Sequence, residues 1–179
     1  MYSPVCYIKF MKLKLLLPFL FIIFSCSQDT SIDRNDLIEK AGAPLLNGLG
    51  SHSFTISSKV EGVQDYFNQG LIMAFAFNHA ESIRSFKAAQ KLDPNCAICF
   101  WGEALALGPN INVTSDGKAI MSPQERLDAF KRTNKAIALI ELASPKEKDF
   151  ILTLKSRYNG DVNSSRVPLD IAYAKAMAE

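Results

Sequence analysis

The chain is poor in the residues that metal, haem and hydrolytic chemistry depend on. It carries two histidines and four cysteines in 179 residues. The H-E-x-x-H spacing of zinc hydrolases is missing, as are a glycine-rich phosphate loop and a nucleophile elbow. With a formal net charge of +2 and no basic–aromatic patch, it has no electrostatic footprint for nucleic acid. No segment reads as strongly β-rich. The apolar run Leu15 to Phe24, LLLPFLFIIF, is too short for a bilayer span, which needs roughly 20 such residues. What remains is a chain that is 48% hydrophobic, enough for one globular unit with a modest core.

That apolar run has a context of its own. Lys9, Lys12 and Lys14 precede it, and Ser25 and Cys26 follow it. A basic stretch, a short apolar stretch and a small residue before a cut make a secretory signal; an N-terminal membrane anchor is the other reading. Met11 is taken as the true start, because MKLKLLL opens a more typical signal than MYSPVCYIKF. Of the 20 basic residues these three lie in the signal, against none of the 18 acidic ones, so the remainder is close to neutral. Ile23-Phe24-Ser25-Cys26 resembles the lipobox of bacterial lipoproteins. The resemblance implies cleavage before Cys26 and diacylation of its sulfur. It also implies an exported protein held in the cell envelope by a lipid anchor, on the periplasmic side or at the outer membrane. Residues 27–50 then form a polar tether and a weakly structured lead-in.

From residue 51 onward the pattern is helical. Tyr66, Gln69, Gly70, Met73, Ser82, Phe86, Ala89 and Pro94 carry the spacing of one tetratricopeptide helix pair, W-x₂-L-G-x₂-Y followed by A-x₃-F and a closing proline. Only Gln69 departs in character, placing an amide where leucine usually packs. The spacing predicts helices over 63–78 and 80–92, with Gly70 and Ala89 at the close contact. Cys96 to Leu107 follows as a short apolar helix stopped by Gly108-Pro109, then a polar, turn-like stretch from Asn110 to Met121. Ser122-Pro123-Gln124-Glu125 and Ser144-Pro145-Lys146-Glu147 are capping boxes with proline at the first helical position. They predict helices to about Leu142 and Tyr158, and Pro168 opens a last one towards Glu179. Asp36 to Leu49 is a weak helical stretch closed by Gly48 and Gly50, and His52 to Ser57 alternates as an extended segment does. The expected fold is all-α, a tetratricopeptide-like solenoid over residues 51–179 that continues past Glu179.

The stretch from Leu49 to Asn112 resembles the start of a family of exported bacterial tetratricopeptide-repeat proteins. The likeness lies in Tyr66 to Leu71, Phe77-Asn78-His79, Asp93-Pro94 with Cys96-Ala97-Ile98-Cys99, Trp101-Gly102, and Leu107 to Asn112. It implies helical repeats and export, and no reaction. In such repeats the first helix of each unit lines a concave groove for partner peptides. The groove positions here are Gln64, Phe67, Leu71, Ala74 and Phe75, then Ile98, Trp101 and Leu105, with Phe67 and Trp101 as the aromatic anchors. They lack a basic clamp for a peptide carboxylate, and two occupants are open: a protein or peptide partner, or further repeats of the same protein.

The remaining candidates are weaker. Cys96-x₂-Cys99 lacks the histidine a c-type haem needs and the second pair that a four-thiolate zinc site needs. It either bridges reversibly as a redox pair or packs as buried thiols. Gln69, His79, Glu103, Asn110 and Asn112 are read as a polar site. His79 is either a ligand or acid/base, with Glu81, Glu103 or His52 beside it, or a turn residue that fixes the helix crossing. The expectation is a membrane-tethered scaffold for a protein or peptide, with no cofactor, metal or nucleic acid. The alternative is an enzyme or metal-binding protein using His79, Glu103 and Cys96/Cys99.

Overall fold

A computed structural model describes residues 33–110, 114–115 and 118–179. The signal segment and Cys26 lie outside these residues, as do Asn112 and the Asp116-Gly117 turn. The described chain is all-helical apart from one two-residue antiparallel pairing, Thr114–Ser115 with Lys118–Ala119. Its helices are α1 (Arg34–Ala41), α2 (Val63–Phe75), α3 (His79–Leu92), α4 (Ala97–Ala106), α5 (Pro123–Ala138), α6 (Pro145–Lys155) and α7 (Arg166–Ala178), with a 3₁₀ turn at Ile140–Leu142. Among the described residues no helix is long and apolar enough to cross a membrane.

Local chemistry sets most of the helix ends. The side chains of Ser122 and Ser144 accept from the backbone of Glu125 and Glu147, whose carboxylates accept in return from the two serine N–H groups. Both expected capping boxes are therefore formed, and each satisfies two otherwise orphaned donors. Asn78 caps α3 through the Glu81 N–H, and Ser165 caps α7 two residues earlier than Pro168 suggested. The first helix also differs from expectation. It starts behind an Asp33 cap and stops at Gly42, whose φ of 71° gives a left-handed cap. Gly48 and Gly50 lie beyond it in the loop. The helix expected to reach Leu142 ends at Ala138 and tightens into the 3₁₀ turn.

Consecutive helices pack on one another from α2 to α5; α6 rests on α4 and α5, and α7 on α6. The centre of the stack is Phe86, fully buried on α3. A Cβ built on Gly70 would lie 2.9 Å from its ring, and one on Gly102 would lie 2.3 Å away. Glycine on both α2 and α4 is what lets a phenylalanine sit between the two helices. The close contact to Gly70 is thus made by Phe86, and Ser82 Oγ donates to the Gly70 carbonyl across the same crossing at 2.7 Å. Two tyrosines tie the ends of the stack. Tyr66 donates to the Ala43 carbonyl at 2.6 Å, and Tyr158 to the Ala104 carbonyl at 2.8 Å.

Gln69, the odd residue of the repeat pattern, is buried with every polar atom engaged. Its Oε1 accepts from the Leu46 N–H, and its amide nitrogen donates to the Pro44 carbonyl and to Ser85 Oγ. An amide replaces leucine here because the lead-in chain crosses α2 at this point and needs hydrogen-bond partners.

Candidate functional site

The face of α2 expected to line a groove is covered by the chain itself. Residues 53–57 cross it without forming helix or strand, and their side chains alternate. Phe54 and Ile56 turn inward, while Ser53 and Thr55 are exposed, as in an extended segment. Gln64 and Asn68, one turn apart on α2, hold its backbone. Asn68 Oδ1 accepts from the Phe54 N–H at 3.1 Å. Gln64 donates to the Phe54 carbonyl at 2.9 Å and accepts from the Ile56 N–H at 3.0 Å. Glu147 of α6, wholly buried, accepts from the Ser57 N–H at 2.9 Å.

Aromatic rings fill the space beneath. Phe54 lies 5.9 Å from Phe67 and 5.6 Å from Phe150, and Phe150 in turn lies 5.4 Å from Trp101. The Lys146 ammonium sits 4.4 Å above the Phe54 ring, within cation–π range.

This corrects the expected groove. Phe67, Leu71 and Trp101 belong to the core, and Gln64 is spent on the chain's own backbone. Leu105 is half-buried. Of the eight groove residues, Phe75 alone is strongly exposed, at 73%; Ala74 is half-buried and Ile98 buried. Phe77, in the turn after α2, is 53% exposed and has a φ of 60°, a left-handed conformation that a bulky residue rarely adopts. The clue was present in the sequence: Phe54 and Ile56 alternate opposite two amides spaced four apart on one helix. Periodicity alone does not say which face such a segment covers.

Gln69, His79 and Glu103 stand apart: among the described residues they share no hydrogen bond with one another. Gln69 serves the lead-in chain. Glu103, only 1% exposed, accepts from Gln90 at 2.8 Å and pairs with Arg132 at 3.0 Å and Lys87 at 3.7 Å. This cluster joins α3, α4 and α5, and two cations with one amide compensate the buried carboxylate. His79 is the first residue of α3, and among the described residues its ring nitrogens, though buried, make no hydrogen bond. His52 lies elsewhere, at the rim of an open cleft of about 420 Å³ with Arg34, Asn47, Asp65 and Asn68. Asn110 is half-buried, and Asn112 lies outside the described residues. Among the described residues no three histidine, cysteine or acidic side chains gather as a metal site would require.

Cys96 and Cys99 are joined by a disulfide at the start of α4. The pair is bridged rather than packed as the free buried thiols of the other reading, and both residues are buried.

No protein-family model, curated protein or solved structure matches this chain.

Proposed function

We propose that this chain is a tetratricopeptide-like helical scaffold that binds a protein partner at the bacterial cell envelope, anchored by a lipid on Cys26. The repeat reading draws support from the Phe86 wedge between Gly70 and Gly102. It also draws support from Gln69 and Glu103, buried polar residues one repeat length of about 34 residues apart that each gather a network behind the first helix of a pair.

The partner-binding reading rests on Phe75 and Phe77. Phe75 is 73% and Phe77 53% exposed at the end of α2, and the left-handed backbone of Phe77 costs on the order of 1–3 kcal/mol for a side chain that is only about half covered. Exposed aromatics held at such a cost suit a contact made with another molecule. The contact surface is therefore the α2–α3 turn, and the face of α2 is already filled.

A photo-crosslinking residue at position 75, in cells expressing the full chain, should give one discrete protein adduct in the membrane fraction. Phe77→Ser should abolish that adduct while leaving the melting temperature unchanged. Absence of any adduct from position 75 would overturn the reading. Mass spectrometry of the same membrane material should find the N-terminus at Cys26 carrying acyl chains; an intact peptide spanning residues 24–28 would refute the anchor.

A further inference from the structure

Among the described residues, the Cys96–Cys99 bond is a reactive group that the scaffold reading leaves without a task, and its two cysteines are placed unequally. Cys96 is the N-cap of α4, whose ten residues carry no side-chain cap, and its carbonyl accepts from the Cys99 N–H at 3.1 Å. Together with Ser57, Ser58, Asp93, Asn95 and Leu142, Cys96 lines a surface cleft of about 280 Å³. Cys99 is 0% exposed, one helical turn further in. Cys96, 4% exposed, therefore borders a cleft open to solvent, while Cys99 is wholly enclosed behind it.

The surroundings favour the same division of labour after reduction. Cys96 stands at the N-cap of α4, and helix N-termini stabilise thiolates. The nearby Asp93 carboxylate opposes this, but it is engaged, accepting from Ser58 Oγ and from the Asn95 N–H. Cys99 belongs to the buried apolar core, where a charged thiolate is less favoured than at the helix end.

We infer that Cys96 and Cys99 form a redox-active pair that exchanges with a dithiol or disulfide on a partner protein, with Cys96 as the exchanging sulfur and Cys99 as the resolving one. In the reductive direction a partner thiolate bonds to Cys96 Sγ, the Cys96–Cys99 bond breaks, and Cys99 leaves and takes up a proton. The partner's second thiolate then attacks the mixed disulfide and releases Cys96 as a thiolate. The partner is left as a disulfide, and this chain has gained two electrons. The reverse sequence reduces a partner disulfide.

The test uses the folded full chain in graded mixtures of reduced and oxidised dithiothreitol, with alkylation and mass spectrometry as the readout. The pair should convert between disulfide and dithiol as one two-electron couple while the helical circular dichroism holds. Limiting iodoacetamide should label Cys96 at least tenfold faster than Cys99 in the reduced protein. Glutathione disulfide should leave one adduct on Cys96 in Cys99→Ser. Reduction only at denaturant concentrations that abolish the helical signal would overturn the inference, and so would equal or faster labelling of Cys99. These wild-type measurements decide the matter even where the variant does not fold.

Discussion

Gly102→Ala sets two quantifiable effects against each other. Alanine is favoured over glycine in a helix interior by about 0.8–1.0 kcal/mol, so the substitution should stabilise α4 taken alone. In the stack, however, the new methyl would lie 2.3, 2.5 and 2.6 Å from three atoms of the Phe86 ring. Optimal carbon–carbon contacts are about 3.5–4.0 Å, so the ring must retreat by roughly 1 Å. It has little room, since Gly70 backs it on α2 and the Phe67 ring centroid is 5.5 Å away. Overpacking of a full core costs about 1–3 kcal/mol, and three simultaneous clashes place this case near the upper end. The net expectation is a destabilisation of about 2 kcal/mol, or a fall in melting temperature of roughly 4–8 °C for a unit of this size. Thermal unfolding followed by helical circular dichroism measures it. A melting temperature equal to or above wild type would refute the wedge. In a Phe86→Leu background the same substitution should be neutral or stabilising, and the difference between backgrounds isolates the contact.

Two further perturbations probe buried polar groups. Glu147→Ala removes the acceptor of both the Ser57 and Ser144 N–H groups. It should cost about 2 kcal/mol, since each of the two part-buried donors falls at the low end of the roughly 1–3 kcal/mol for a donor left unpaired; a loss below 1 kcal/mol in urea unfolding would contradict that role. Burial pushes the Tyr158 phenol up to about 12, against the opposing pull of Arg157 and Arg166. The folded state therefore keeps a proton that the unfolded chain releases near pH 10. This stability is complete below pH 10 and lost between 10 and 12, by about 3 kcal/mol in all. Tyr158→Phe should flatten the decline in urea midpoint between pH 9 and 11, and an unchanged decline would refute the assignment.

What the sequence revealed was mostly local or periodic. Tyr66, Gly70 and Phe86 place two helices and the glycine between them, because close approach and a filling ring are sterically coupled. The serine–proline–glutamate boxes place the starts of α5 and α6 because a cap is completed within four residues. Long-range pairing was not legible. Gly102 falls outside the helix-pair spacing that marks Gly70, yet Phe86 needs it as much. Glu147 reads as a capping residue, and its second task, holding Ser57, depends on a segment far away in sequence. Phe67 and Trp101 are aromatic at positions consistent with either a groove or a core. Only the path of residues 53–57 decides between them. The first helix was misplaced for a different reason: Gly42, Gly48 and Gly50 are all plausible stops, and the Asp33 cap selects the first.

The path of residues 53–57 also limits where a partner can act. Four backbone contacts from Gln64, Asn68 and Glu147 hold the segment, each worth about 0.5–1.5 kcal/mol net. The two ring contacts of Phe54 add about 0.5–1.5 kcal/mol apiece. A peptide competing for the same face would have to repay these terms against a segment tethered at millimolar effective concentration. A partner of ordinary micromolar affinity, bound with about 8 kcal/mol, would have most of that energy consumed by the displacement. Phe75 and Phe77 require no such exchange, because more than half of each is already exposed. If the scaffold binds through its aromatic residues, those two are where the binding energy is available.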